Sequence, residues 1–359
     1  MRGGERCLEA VCELFPDADI FTLIHISGSV TDTIESHKIT TSYIQKLPGK
    51  NFRHHLPLFP HAIQQFDLSG YDFVISFSHC VAKGVNVPKD VPHLCYCYTP
   101  MRYAWYMRDE YLSTFNFITK RLAQMMLDFL RAWDRKSSTR VTHFIAISQN
   151  VRNRIKHAYN RDSMIIFPPV DCDRFVVSNR DEGYYLVVSA LVPYKRNDIA
   201  VKALSSMPDR KLVVVGNGPQ LNNIKSMAKA NVTFVETASD EEVAEYMKGC
   251  KALLFPGEED FGIVPLEVQA CGKPVITYGR GGALETVVGL DESRPEQADA
   301  TGVFFHEQNP EALREAILFF EKNRSKINPA KCRDNAMKFS RPLYKQSMQK
   351  YIQEVLEEI

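Results

Sequence analysis

Phe255-Pro-Gly-Glu-Glu-Asp-Phe-Gly-Ile-Val-Pro-Leu-Glu-Val-Gln-Ala-Cys-Gly-Lys-Pro-Val-Ile276 is the stretch from which the rest of the chain is read. The apolar run 252–255 predicts a strand ending at Phe255. A glycine-bearing loop follows, and a helix begins near Pro265 and continues over 266–271. Proline in a first helical turn forfeits no intrahelical hydrogen bond. Residues 275–277 predict the next strand. A strand, a helix and a second strand joined this tightly form the unit of a parallel sheet.

The same alternation extends outward in both directions. Strands are predicted at 184–189, 211–215, 232–235 and 302–305, with helices at 199–206, 221–230 and 240–248. Upstream, strands are predicted at 19–24, 72–76, 93–97, 142–147 and 164–167, with helices at 5–15 and 117–136. Pro168-Pro169-Val170-Asp171 and the polar stretch through Gly183 read as a linker, and 342–359 reads as a closing helix. A chain of 359 residues is too long for one core. The expected fold class is therefore α/β, with two Rossmann-like doubly wound domains, residues 1–170 and 171–341. A ligand cleft is expected between them, and 342–359 is expected to pack back toward the first domain. Gly3-Gly4 ahead of the 5–15 helix reads as the glycine turn that normally follows a first strand. That strand is missing from the sequence, so either residues upstream are expected or the two glycines are a flexible terminus.

Composition sets the outer limits. Apolar residues at 45% and charged residues at 24% exclude collagen-like, disordered and coiled-coil chains. No run approaches the roughly 20 apolar residues of a membrane span, and no secretory leader is visible, so a cytoplasmic location is expected. The net charge of +1 hides an asymmetry: 21 basic against 17 acidic residues through Ser178, and 23 against 26 beyond it. Nine of the ten histidines also lie in the first part. This suggests an anionic partner there, a phosphate or a membrane surface, although chance surface composition fits equally well. The excess is too small to argue for nucleic acid. The nine cysteines form no Cys-x-x-Cys pair, and reduced, mostly buried thiols are expected. Asp171-Cys172-Asp173 has a metal-like spacing but falls in the linker, so neither a metal nor a cofactor is expected.

The chemistry concentrates around 255–276. The backbone N–H groups of Gly262, Ile263 and Val264 lie at or just before a helix N-terminus and can donate to a phosphate or to sugar hydroxyls. Glu259 on the loop and Glu267 in the helix can aim two carboxylates into one pocket, where each accepts two hydrogen bonds from a vicinal diol. A plainer reading makes Glu258, Glu259 and Asp260 a solvated acidic loop and Glu267 a favourable first-turn charge.

The whole string is more specific than the glutamate pair. It resembles the donor-binding signature of family 4 retaining glycosyltransferases of the GT-B fold. Gly281-Gly282-Ala283-Leu284-Glu285-Thr286-Val287, Ser189–Arg196 and Val213–Pro219 are similar to further parts of that family's donor domain. Ser78–Val85 and Cys95–Trp105 resemble the mannosyltransferase-like branch, WbaZ type, that builds bacterial and archaeal surface polysaccharides.

The resemblance implies that Glu259 contacts the transferred sugar, Glu267 the ribose, and Lys195 the donor diphosphate. Gly216 and Phe261–Val264 fall within the same donor motifs, and Gly3-Gly4 matches the turn that approaches the phosphates. The family's Arg five residues before the Lys is Ala190 here, with Arg196 the substitute. Tyr98 stands where the related motif has His, and His79 is the nearest replacement by type. It implies metal-independent, retaining transfer in which the leaving phosphate takes the acceptor's proton. It implies GDP-mannose as the donor and a lipid-linked or polysaccharide glycan as the acceptor. The other readings are a nucleotide-sugar binding protein without turnover and a GT-B-like epimerase.

Arg102 and Trp105, after a strand end, are expected on the acceptor side, with packing at a domain edge as the alternative. Ile118, Leu122, Met125, Met126, Phe129, Leu130 and Trp133 recur at helical spacing. The core face of a helix is the first reading of this stripe and peripheral contact with the inner face of a membrane the second.

Overall fold

The computed structural model describes residues 3–48, 52–113 and 116–358. It divides into two compact units, Met1–Pro168 with Tyr344–Ile359, and Pro169–Leu343.

The first unit holds two parallel sheets. β1 (Ile20–Thr22) pairs with β2 (Ile39–Thr41). β3 (Val74–Ser78), β4 (His93–Cys97), β5 (His143–Ala146) and β6 (Met164–Ile165) lie in that order. β4 is buried along its whole length, as a central strand covered on both faces should be. The closing helix Arg341–Glu357 belongs to this unit from Tyr344 onward. The Tyr344 hydroxyl donates to the Cys7 carbonyl at 3.4 Å, and the Tyr344 ring meets Tyr96 edge-on at 5.8 Å.

The glycine turn expected at the start is not formed. Gly3 and Gly4 are the first two residues of the helix Gly3–Cys12, which is the first described element. Asp171-Cys172-Asp173 is likewise not linker: it belongs to the second unit, where Cys172 Sγ reaches the Ala336 carbonyl at 3.5 Å.

The second unit is one seven-stranded parallel sheet. Its strands are β7 (Tyr184–Val188), β8 (Lys211–Val215), β9 (Val232–Val235), β10 (Ala252–Phe255), β11 (Val275–Tyr278), β12 (Gly289–Leu290) and β13 (Gly302–Phe305). Their order is β12-β13-β11-β10-β7-β8-β9. From β7 the chain runs outward through β8 and β9, then returns to place β10 on the other side of β7. The boundary between β7 and β10 is therefore the topological switch point, where loops diverge to opposite faces and open α/β sheets bind ligands. The core beneath is built from Tyr185, Leu212, Val214, Leu254 and Ile276 and from the helices Asn197–Ser205 and Pro310–Asn323 that cover it.

One buried group makes stability depend on pH. His93 on β4 is fully buried, with Nε2 2.8 Å from Ser76 Oγ and no partner at Nδ1 among the described residues. Burial first, then the charges of Arg140 and Lys83, push its pKa down to about 4. An unfolded histidine titrates near 6.5, so between about pH 6.5 and 4 the unfolded chain binds the extra proton. Stability is thus full above this window and falls as pH drops through it, by about 3 kcal/mol. Urea unfolding from pH 7 to pH 4 is expected to reveal that loss, and His93→Gln to flatten it.

Candidate functional site

In the second unit the loops after β7, β8, β10 and β11 leave the carboxyl edge of the sheet, where open α/β sheets bind ligands. After β7, Pro193–Lys195 forms one 3-10 turn and Arg196 takes a left-handed conformation, φ 50°, before the helix Asn197–Ser205. After β10 comes the 256–262 loop. The Lys195 Nζ donates to Glu259 Oε1, an ion pair with side chains 20% and 14% exposed. Two residues 64 positions apart are thereby joined over the switch point.

Backbone contacts fix that loop. The Gly282 N–H donates to the Glu259 carbonyl at 2.8 Å. Gly281 has φ +64°, and a Cβ there would stand 2.4 Å from the same carbonyl oxygen, so only glycine fits. Across β7 and β8, Gly216 has φ +140°, and its Cβ would stand 2.0 Å from the Ser189 carbonyl oxygen. Glycines at these two positions let the loops after β7, β8, β10 and β11 press main chain to main chain.

The helix near Pro265 begins two residues earlier, as Ile263–Ala270, with Gly262 as N-cap at φ 96°. A glycine cap offers no side chain to the opening amides of this first turn, where the helix dipole favours an anion. The earlier start moves Glu267 from the first turn into the second, where it is half-buried and already engaged. Phe261 is not available as a ligand surface: its ring is buried and meets Phe339 edge-on at 5.6 Å.

Arg196, the expected substitute for the arginine replaced by Ala190, is engaged within the second unit. Its guanidinium is held by Asp198 at 3.3 Å and by Gln308 Oε1 at 3.3 Å. Gln308 in turn donates to the Pro256 carbonyl at 2.9 Å, so it ties Arg196 to the root of the 256–262 loop. Sequence reading missed Gln308. It also missed Gln269, which is fully buried in the 263–270 helix. The Gln269 amide donates to the Thr286 carbonyl at 2.8 Å and accepts from Asn335 Nδ2 at 2.8 Å. A glutamine within an otherwise apolar helix was the available signal. Gln269→Ala removes the amide and opens a cavity, and is expected to cost about 3 kcal/mol in urea unfolding.

In the first unit, Tyr98 and His79 each directly follow a strand, and β3 and β4 are parallel neighbours in register Ser78↔Cys97. The Tyr98 N–H donates to the Ser78 carbonyl at 2.9 Å, so the two residues leave the sheet side by side. The Tyr98 hydroxyl donates to the Gly4 carbonyl at 2.8 Å. Burial pushes its pKa well above the ordinary tyrosine value, so it stays a neutral donor and is no base. His79 is exposed.

Arg102 opens the short helix Arg102–Trp105 and is half-buried. Trp105, in the same helix, is half-buried. Its indole N–H donates to buried Asp134 at 2.8 Å, and the Arg131 guanidinium covers the ring at 4.4 Å. With its polar edge and a ring face both occupied, its contacts favour the packing alternative.

Residues 1–174 match the family model Glycosyltransferase Family 4, and residues 173–339 match Glycosyl transferases group 1. The chain is 30% identical over 188 residues to the GDP-mannose-dependent alpha-(1-6)-phosphatidylinositol monomannoside mannosyltransferase of Mycolicibacterium smegmatis, covering 44% of this chain and 49% of that protein. It is 24% identical over 319 residues to the alpha-1,3/1,6-mannosyltransferase ALG2 of Kluyveromyces lactis, covering 73% and 61%. The chain spans about half the length of the curated relatives it matches. Its fold is shared with a sucrose-phosphate synthase from Thermosynechococcus elongatus at a TM-score of 0.72 and 16% identity, over 99% of this chain and 92% of that one. Two Rossmann-like units of parallel sheet and two adjoining matches that together run from residue 1 to residue 339 place the chain in the glycosyltransferase families of the GT-B fold.

Proposed function

We propose that the protein is a retaining glycosyltransferase that moves a hexose, mannose from GDP-mannose, onto a lipid-linked or polysaccharide acceptor, in the manner of the WbaZ-type branch. The observation that carries this reading is the Lys195–Glu259 pair over the β7/β10 switch point, beside the glycine-capped helix N-terminus at Gly262. An ammonium, a carboxylate and a helix N-terminus meet the needs of a sugar diphosphate. Lys195 balances the diphosphate as it leaves, Glu259 binds hydroxyls of the sugar, and the Gly262–Val264 amides bind phosphate oxygens. Glu267 is assigned to the ribose. The bond from the anomeric carbon to the phosphate oxygen breaks, a bond to the acceptor oxygen forms on the same face, and the departing phosphate takes the acceptor's proton. A neutral Tyr98 suits that route, because no protein base is required. Similarity to the mannosyltransferases named above favours a mannosyl donor and a glycan or lipid acceptor.

A melting panel of GDP-mannose, UDP-glucose and ADP-glucose tests the donor, since a ligand that binds only the folded chain raises its melting temperature. GDP-mannose is expected to give the largest rise, and GDP release is expected to require a glycan acceptor. No rise with any of the three would overturn the reading. A rise without product on any acceptor would make the protein a binder, and nucleotide release without acceptor would point to an epimerase-like reaction.

A further inference from the structure

The long helix Phe117–Ser138 carries two apolar faces, and only one of them is used. Ala123, Leu127 and Leu130 are buried in the core of the first unit, with Met126 and Trp133 packed against it. The stripe read from the sequence is therefore split. Leu122, Met125 and Phe129 point away from that core and are 65%, 64% and 56% exposed. They sit three and four residues apart on one face, and the same line continues through exposed Ala132 and Lys136. The side chain of Ile118 lies outside the described residues. Phe117, at the head of the helix, is 93% exposed.

Charge identifies what covers this face. Residues 116–161 contain ten Lys and Arg against two acids, Asp128 and Asp134. Asp128 is paired with Arg108, and Asp134 is buried against Lys83, so neither offsets the surface. Lys120, Arg121 and Lys136 are exposed on the helix that bears the apolar stripe, while Arg131 and Arg135 lie against the Trp105 ring. A two-fold pairing of this face with a second copy would set that cationic rim against itself. An anionic bilayer satisfies both features: its headgroups meet the rim, and its acyl boundary accepts the three apolar side chains. No helix among the described residues is long and apolar enough to cross a membrane, so this one would lie in the surface.

We propose that the Phe117–Ser138 helix docks the protein on a membrane rich in anionic phospholipid, with Leu122, Met125 and Phe129 inserted below the headgroups. This goes beyond the donor reaction and does not depend on it.

The test is co-sedimentation of the full chain with vesicles of phosphatidylcholine alone or mixed with phosphatidylglycerol. Binding is expected on the anionic vesicles, and it should weaken as salt rises. Leu122→Ser, Met125→Ser and Phe129→Ser combined should weaken it by about tenfold or more, as loss of buried apolar area requires. Arg121→Glu with Lys136→Glu should do the same. The affected side chains are exposed, so melting temperatures are expected to stay unchanged. The nucleotide-sugar melting shift, run on the same variants, should persist, which separates this proposal from the donor assignment. The idea is overturned by equal sedimentation of wild type and triple variant, by no binding to either vesicle, or by a wild-type dimer that the triple variant converts to monomer.

Discussion

Glu259→Ala is expected to lower the rate of hexosyl transfer by about 10²- to 10⁴-fold while leaving the second unit folded. The loss falls on turnover because the carboxylate is assigned to hydroxyls of the sugar whose bond breaks, where contacts strengthen as charge develops. Lys195→Ala is expected to weaken donor binding as well as turnover, because an ammonium meets the diphosphate in the ground state and the transition state alike. The two side chains are each other's partner, so their effects should not add. The double variant should be about as slow as the slower single variant. Each change removes one half of a partly exposed ion pair, so its effect on unfolding should stay near 1 kcal/mol. The measurements are initial rates of GDP release with acceptor, and urea unfolding of the same samples. Full activity of Glu259→Ala would remove that residue from the site. Strict additivity would mean that the pair is not shared during catalysis.

The part of this site that the sequence spells out is the part built from neighbours along the chain. β8, β9, β10 and β13 run as predicted because each is a short apolar run between turn residues; β10 and β13 are buried along their whole length, while β9, at the sheet edge, is only half-buried. The 255–276 stretch is legible for a similar reason: its glycines, proline and glutamates specify a loop and a helix start locally. What escapes is assembled from distant segments. Gln308 reaches Pro256 across 52 positions, and Asn335 reaches Gln269 across 66. The Trp105 indole N–H finds its acceptor in Asp134, 29 residues later. Three helices were overlooked although their starts are written plainly. Ser148 caps Gln149–Tyr159, and Asn309 and Asn328, each followed by proline, cap Pro310–Asn323 and Pro329–Met337. Asn-Pro marks a turn and a helix start alike, and only the buried faces that follow decide between them.

Asp134→Leu is expected to prevent the first unit from folding stably. Asp134 is fully buried and is the acceptor for three donors: Lys83 Nζ, the Trp105 indole N–H at 2.8 Å and the Tyr159 hydroxyl at 2.7 Å. The leucine substitution strands an ammonium that is 1% exposed, facing the rings of Tyr159 at 5.0 Å and Trp133 at 5.8 Å. Breaking one side of such a pair costs roughly 3–5 kcal/mol, and each orphaned neutral donor adds about 1–3 kcal/mol. That total is comparable with the roughly 5–15 kcal/mol that holds an ordinary domain together. Lys83→Met alone should be milder, because the carboxylate keeps two donors. Lys83→Met with Asp134→Leu should recover most of the loss, since apolar groups of similar volume replace a buried pair at little net cost. Circular dichroism melts of the three variants check this. A single Asp134→Leu variant that melts with the wild type would mean that the buried pair contributes nothing to the fold. A double variant no better than the single would mean that the loss comes from the indole and hydroxyl donors and not from the stranded charge.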